Sequence, residues 1–188
     1  MAEENRFINM MRNLTRNISQ TTRDATDWFK KLVKDYGKSG KIKTFRETRG
    51  PVAGQMYFFN YDAKYKDVLP YWDRYPLVFP IKFTSKGFLG VNLHYLPPNE
   101  RLGVLAFMDS IKDNDKYDEP QKMIQQQRFL ESFYTNTRYK VCVKRYLWGH
   151  VVGQSFMYVD PEDWAYVALL PFEQWSYNKN YKGSRPPY

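Results

Sequence analysis

The chain predicts an α+β fold: a small SH3-like antiparallel β-barrel with an inserted helical pair, preceded by a long N-terminal helix. Two observations predict the domain and a third predicts the helix. Short β-rich runs broken by Gly and Pro turns fill residues 55–96, two segments of helical period follow, and strand-like runs return from residue 138. Ahead of them Phe7, Met11, Leu14, Ile18, Thr21, Ala25, Trp28 and Leu32 recur in alternating steps of four and three, a heptad seam. At 188 residues the length suits one domain with appendages. The expected parts are a helical arm 1–37, a basic linker 38–54, an α+β domain 55–172 and an extended tail 173–188.

The arm reads as a helix over residues 5–36 that stops at Gly37. Frequent Asn and Thr over residues 13–26 weaken its middle. The seam therefore predicts an arm that gains order by packing, either on another molecule or on its own domain. The linker KSGKIKTFRETRGPVAG is rich in Lys, Arg and Gly and ends near a first strand. Residues 55–61 and 77–83 alternate as strands, with a loop over 64–75 between them. Pro76 and Pro80 each lack a ladder donor, which predicts an edge or kinked strand for the second run. A turn at Lys86 and Gly87 leads to a third strand, FLGVNLHYL, and the three form a meander.

Pro97 and Pro98 stop the sheet, and Asn99 reads as the N-cap of a helix whose apolar face holds Leu102, Leu105, Ala106 and Met108. After the acidic loop DNDKYDEP, a second helix over 121–134 presents Met123, Ile124, Gln127, Leu130 and Tyr134 at helical spacing. Strands are expected at 138–147 and 153–158. A helical turn at Asp160, Pro161 and Glu162 carries Trp164, and a short strand over 166–170 precedes the aperiodic tail.

Composition narrows the function. Aromatic residues make up 18% of the chain, and its 16 Tyr predict half-wet surfaces, since Tyr buries a ring while its hydroxyl keeps a polar partner. Ten of these rings crowd MYFFNYDAKYKDVLPYWDRYPLVFPIKF, residues 56–83. The formal charge of +9 is uneven: residues 1–49 hold 12 Lys or Arg against 6 acids, whereas residues 109–119 are net negative. Basic ends suit nucleic acid, an anionic surface or an acidic protein, with a solvated basic surface as the plain alternative.

The single Cys142 excludes an internal disulfide and a multi-thiolate zinc site, and its VCV setting predicts a buried packing residue. The opening MAEENRF lacks a signal-peptide apolar run, and no stretch reaches the ~18 apolar residues of a membrane span. Synthesis in a cytoplasm, with use there or in something assembled there, is expected.

Catalytic groups are sparse. His94 in a strand and His150 in a turn lack metal-pair spacing, and no phosphate-cradling Gly-rich loop or nucleophile elbow is present. Asp62, Asp67 and Asp73 lie in a loop without a Glu or Lys at nuclease spacing. The chain reads as a non-enzyme, with no catalytic residues, metal or cofactor. Nucleic-acid contact has better candidates. As one strand, RYKVCVKRYLW would put Arg138, Lys140 and Lys144 on one face with Cys142 and Tyr146, and Arg145 on the other with mainly apolar residues. Such a face tracks phosphates while neighbouring rings stack on bases. Arg12, Arg16, Arg23, Lys30, Lys31 and Lys34 of the arm would add affinity without sequence preference. Candidate protein contacts are the seam residues Phe7, Met11, Leu14, Ile18, Trp28 and Leu32, the loop aromatics Tyr71, Trp72 and Tyr75, and the tail residues Trp175, Tyr177 and Tyr181.

The pattern LPYxDxxPLVxPI followed by GFLGxNLHYLPPxxR, here residues 69–81 and 87–101, resembles structural virion proteins of T-even-type tailed phages and their cyanophage relatives. The resemblance spans residues 55–108. It implies a component of the DNA-filled head and neck that binds packaged double-stranded DNA ends and caps them against host nuclease, with other virion proteins, in multiple copies, as partners. A purely architectural neck, tail-terminator or baseplate subunit without DNA contact is the alternative. The shared positions are mainly aromatic, Pro and Gly, residue types that fix turns and fill a core.

Overall fold

Alternation along the run from Met56 to Asn92 settles the sheet, because each strand offers one residue set to each side. The computed structural model describes residues 23–28, 30–31, 45–170 and 175–177. Six strands form the main antiparallel sheet: β1 (Phe45–Thr48), β2 (Met56–Phe58), β4 (Leu77–Thr84), β5 (Gly87–Asn92), β6 (Val143–Leu147) and β7 (Phe156–Val159), in the order β1-β7-β2-β4-β5-β6. A second, two-stranded ribbon pairs β3 (Tyr71–Asp73) with β8 (Trp175–Tyr177). The helices are α1 (Pro98–Lys112), α2 (Glu119–Thr135) and the short α3 (Trp164–Val167).

The α+β class and the β2-β4-β5 meander agree with expectation. The closed SH3-like barrel does not, because β1 and β6 lie at opposite edges of an open sheet. Helices supply the cover that closure would otherwise provide, burying one sheet face against α1, α2 and α3. β4 is kinked as Pro80 predicts, but it is a central strand rather than an edge. β2 pairs only with Leu77 and Val78, so Pro80 lies beyond that ladder, and the register with β5 shifts between Pro80 and Lys82. Glycine is required opposite these strands: a Cβ on Gly87 would lie 1.9 Å from the Tyr146 carbonyl, and one on Gly90 2.3 Å from Val78 Cγ1.

One sheet face carries Met56, Leu77, Phe79, Val91 and Val159 under α-helical Leu105, Met108, Leu130 and Phe133. The other carries Tyr57, Phe59, Tyr61, Val78, Phe88, Tyr146 and Phe156. Four rings of the aromatic-rich stretch, Tyr57, Phe59, Tyr61 and Phe79, are buried core residues, whereas Tyr65 and Phe83 are exposed.

Several local expectations give way to backbone hydrogen bonding. The strand expected over 138–147 begins only at Val143. The Asn136 side chain accepts from the Arg138 amide at 2.9 Å and its carbonyl from Lys140 at 2.9 Å, and a 3₁₀ turn at Lys140–Cys142 follows. The strand expected over 166–170 is the end of α3 and a turn, with the Trp164 indole bonded to the Val159 carbonyl. The N-cap of α1 is Pro97 rather than Asn99, with Pro98 in the first turn. Asp118 and Gln121 make a reciprocal capping box at α2. The buried face of α2 is Leu130 and Phe133, whereas Met123, Ile124 and Tyr134 are 58%, 50% and 56% exposed. Its face is set by α1, where the Gln126 amide reaches the Met108 carbonyl.

Residues 23–28 and 30–31 are helical. Ala25 is buried with Leu102, Ala165, Leu169 and Leu170, and Trp28 stacks on Tyr166 at 5.2 Å. This part of the seam packs on its own domain. Phe7, Met11, Leu14, Ile18, Leu32, Arg12, Arg16 and Lys34 lie outside the described residues, as does Tyr181. The tail, expected to be aperiodic, supplies β8.

Candidate nucleic-acid interface

Beside β6, on the sheet face that carries none of the described helices, β3, the loop over 61–70 and the β4–β5 turn surround a cleft of about 680 Å³. The β5–β6 ladder builds its floor. Phe88 pairs with Tyr146 and Gly90 with Lys144, so Tyr146 and Lys144 face the same side as Asn92. The Lys144 ammonium lies 3.9 Å from the Tyr95 ring centroid, and burial lowers its pKa. Burial holds the Tyr146 and Tyr95 hydroxyls well above the usual phenol range, so both remain neutral donors. The Tyr61 hydroxyl accepts from the Leu147 amide at 3.3 Å.

Three further cations reach the rim. Lys64 sits 5.3 Å from the Tyr65 ring, Lys86 occupies the β4–β5 turn, and Arg145 is exposed at the mouth. The Lys86 carbonyl accepts from the Trp148 amide at 3.2 Å, which fixes that turn against the end of β6. Among the described residues none of Lys64, Lys86, Lys144 and Arg145 has a carboxylate within salt-bridge distance. Tyr61, Tyr65, Tyr71, Trp72 and Tyr95 add aromatic surface.

Asp73 is the only carboxylate of the lining among the described residues, and its oxygens are committed. One accepts from the Tyr75 amide at 3.0 Å, the other from the Asn92 amide group at 3.1 Å and from His94 Nδ1 at 2.7 Å. The carboxylate accepts, so Nδ1 carries the hydrogen, and the buried Nε2 has no partner among the described residues. Asn92 in turn caps the 3₁₀ turn Leu93–Tyr95 through the His94 amide. Buried Arg101 donates to the carbonyls of Leu96 at 2.8 Å and Ala168 at 2.9 Å. Asp73, Asn92, His94 and Arg101 all belong to the LPYxDxxPLVxPI and GFLGxNLHYLPPxxR patterns, whose structural residues thus include a buried polar network besides aromatics, Pro and Gly.

The cations named from sequence separate. Lys144 lines the cleft, half-buried, and Arg145 is exposed at its rim. Arg138 is off the strand, pairs with Glu100 and lies over Tyr139, while Lys140 lies 5.8 Å from the Tyr134 ring. Arg23 and Lys31 are exposed, and Lys30 pairs with Asp27 at 3.2 Å. Of the loop aromatics, Tyr71 and Trp72 line the cleft and Tyr75 stacks on Phe58 at 5.9 Å. Trp175 packs edge-on to Tyr95 at 4.9 Å and to Tyr71 at 5.6 Å, and Tyr177 is paired through its backbone with Tyr71. Lys64 and Lys86 carry no sequence signal, since only strand pairing brings them to Lys144.

Asp62 pairs with Lys66, and the His150 ring bonds to the Asp62 carbonyl at 2.8 Å. Burial pushes the Cys142 thiol up to about 12. No group of three or more His, Cys, Asp or Glu among the described residues could hold a metal ion, and no described helix is long and apolar enough to cross a membrane. A family model described as the phage T4 terminal DNA protecting protein matches residues 2–185. No curated protein and no solved structure matches the chain.

Proposed function

The chain belongs to the phage T4 terminal DNA protecting protein family, and from that premise we propose that it works in the virion as a non-enzymatic cap on packaged double-stranded DNA ends. The cleft carries this reading: four cations without acidic partners among the described residues share its lining with Tyr and Trp rings, a combination that holds phosphates electrostatically and bases by stacking. Protection then comes from occupying the end. The arm cations Arg12, Arg16, Arg23, Lys30, Lys31 and Lys34, with Arg138 and Lys140, hold the flanking duplex without reading its sequence.

The test is digestion of a linear duplex by a processive exonuclease in the presence of the full chain. Protection should require the protein in stoichiometric amounts over ends and should weaken steeply as salt rises, because bound cations release counterions from the phosphates. Protection that is insensitive to salt, or turnover of the DNA by the protein itself, would contradict the proposal.

One observation favours an additional architectural role beside other virion proteins. Phe107 on α1 and Met123, Ile124 and Tyr134 on α2 expose apolar surface on the helical layer, away from the cleft. Charged replacements at Met123 and Ile124 should impair incorporation into particles while end protection in solution persists.

A further inference from the structure

We infer that the cleft takes a single terminal nucleotide bearing a phosphomonoester, so that the protein recognises the end of a duplex rather than its flank. The inference rests on the DNA-protecting reading above and specifies what that site binds. Its first support is size and shape. A cleft of about 680 Å³ falls within the ~300–1,000 Å³ of small-ligand sites and admits a nucleotide but not a duplex. A duplex flank also presents its bases stacked and paired, inaccessible to a recessed aromatic wall. Only at an end does a base come free at small cost.

The second support is charge placement. Lys144 is recessed at the floor over Tyr95, while Lys64 and Lys86 stand at the rim on two other segments. Among the described residues this recessed ammonium has no carboxylate partner, the counter-charge that a ligand would bring, and burial lowers its pKa. A backbone phosphodiester carries one negative charge, whereas a terminal monoester carries about −1.5 to −2 at neutral pH and three acceptor oxygens. The doubly charged group gains most from converging cations. Asp73 forms no ion pair with these cations among the described residues, its oxygens being bonded to Tyr75, Asn92 and His94. The neutral Tyr95 and Tyr146 hydroxyls add donors at the floor, and Tyr65 and Trp72 offer faces for the base.

The experiment measures equilibrium binding of the full chain to one short blunt duplex in four forms: 5′-phosphorylated, 5′-hydroxyl, 3′-phosphorylated, and closed by hairpins at both ends. A phosphorylated end should bind roughly tenfold or more tightly than the hydroxyl end, the strength expected of charge-assisted hydrogen bonds. The 5′ and 3′ forms show which terminus enters. Lys144→Met should abolish the phosphate preference, and Lys86→Ala, at an exposed turn position that leaves the core intact, should reduce it. Lys122→Ala, on the distant helical layer, should leave the preference unchanged. Equal affinity for phosphorylated and hydroxyl ends overturns the inference while leaving end protection standing. Equal affinity for open and hairpin-closed duplexes overturns the end-binding reading itself.

Discussion

The two faces of the central sheet solve burial differently. The face under the helices is filled by Leu77, Phe79, Ile81, Val91, Leu105, Met108 and Leu130, with Trp164 edge-on to Phe79 at 5.1 Å. The opposite face has no described helix over it and buries Tyr57, Phe59, Tyr61, Phe88, Tyr146 and Phe156, with Phe59 and Tyr146 edge-to-face at 5.2 Å. Rings suit an uncovered face because they bury area while their hydroxyls meet polar partners at the rim. The Tyr57 hydroxyl donates to Gln55 at 2.7 Å and accepts from the Val52 amide at 3.0 Å. The aromatic face is therefore a core and also a wall, and the cleft with its cations opens at its edge. The helical face holds stability, while the aromatic face combines stability with access.

The contrast can be broken at several points. The largest effect is expected from Phe79→Ala in the helix-covered core, which should cost about 3–5 kcal/mol of unfolding free energy in urea titration. Where the two faces meet, Asp73→Asn replaces a carboxylate acceptor with an amide that cannot accept from all three donors. Its expected cost is about 2–3 kcal/mol by the same measurement, with a smaller loss for the double variant Asp73→Asn/His94→Leu because one buried donor is removed as well.

A smaller effect of opposite sign lies on the helical layer. Burial, with Asp113 nearby, raises the Asp109 carboxyl to about 6. A carboxyl whose folded pKa lies above its unfolded value favours the fold when protonated, so its contribution is present below pH ~4 and is lost as pH rises through about 6. Asp109→Asn should therefore stabilise the protein at pH 7 by about 1 kcal/mol, discounted for residual solvent contact, and give no gain at pH 4. The smallest change is expected from Lys86→Ala. Thermal unfolding should move by less than about 0.5 kcal/mol, so loss of end binding in that variant would reflect the site and not the fold.

Much of the fold was legible. Alternation gave β2, β4 and β5, helical period and Pro signals gave α1 and α2, and the VCV setting gave buried Cys142. The misreadings share a cause. Around Asn136 and Trp164, local turn and cap hydrogen bonds outcompete strand pairing that composition alone would allow. On α2 the helical period was right but its buried side was wrong, because only the position of α1 decides which of several apolar stripes is covered. Of the cleft, Lys144, Arg145, Tyr71 and Trp72 were visible as candidates, whereas Lys64 and Lys86 were not.

The sequence by itself determined the β2, β4 and β5 strands, the two long helices, the excess of positive charge and the single buried thiol. These follow from periodicity and composition, which act over a few neighbouring residues. Tertiary structure alone decided that the sheet stays open, that part of the tail returns as β8 beside β3, and that Lys64, Lys86 and Lys144 line one cleft with Asp73 and Asn92. Those outcomes depend on strand register and on which face the helices cover, properties set by contacts between segments far apart in the chain.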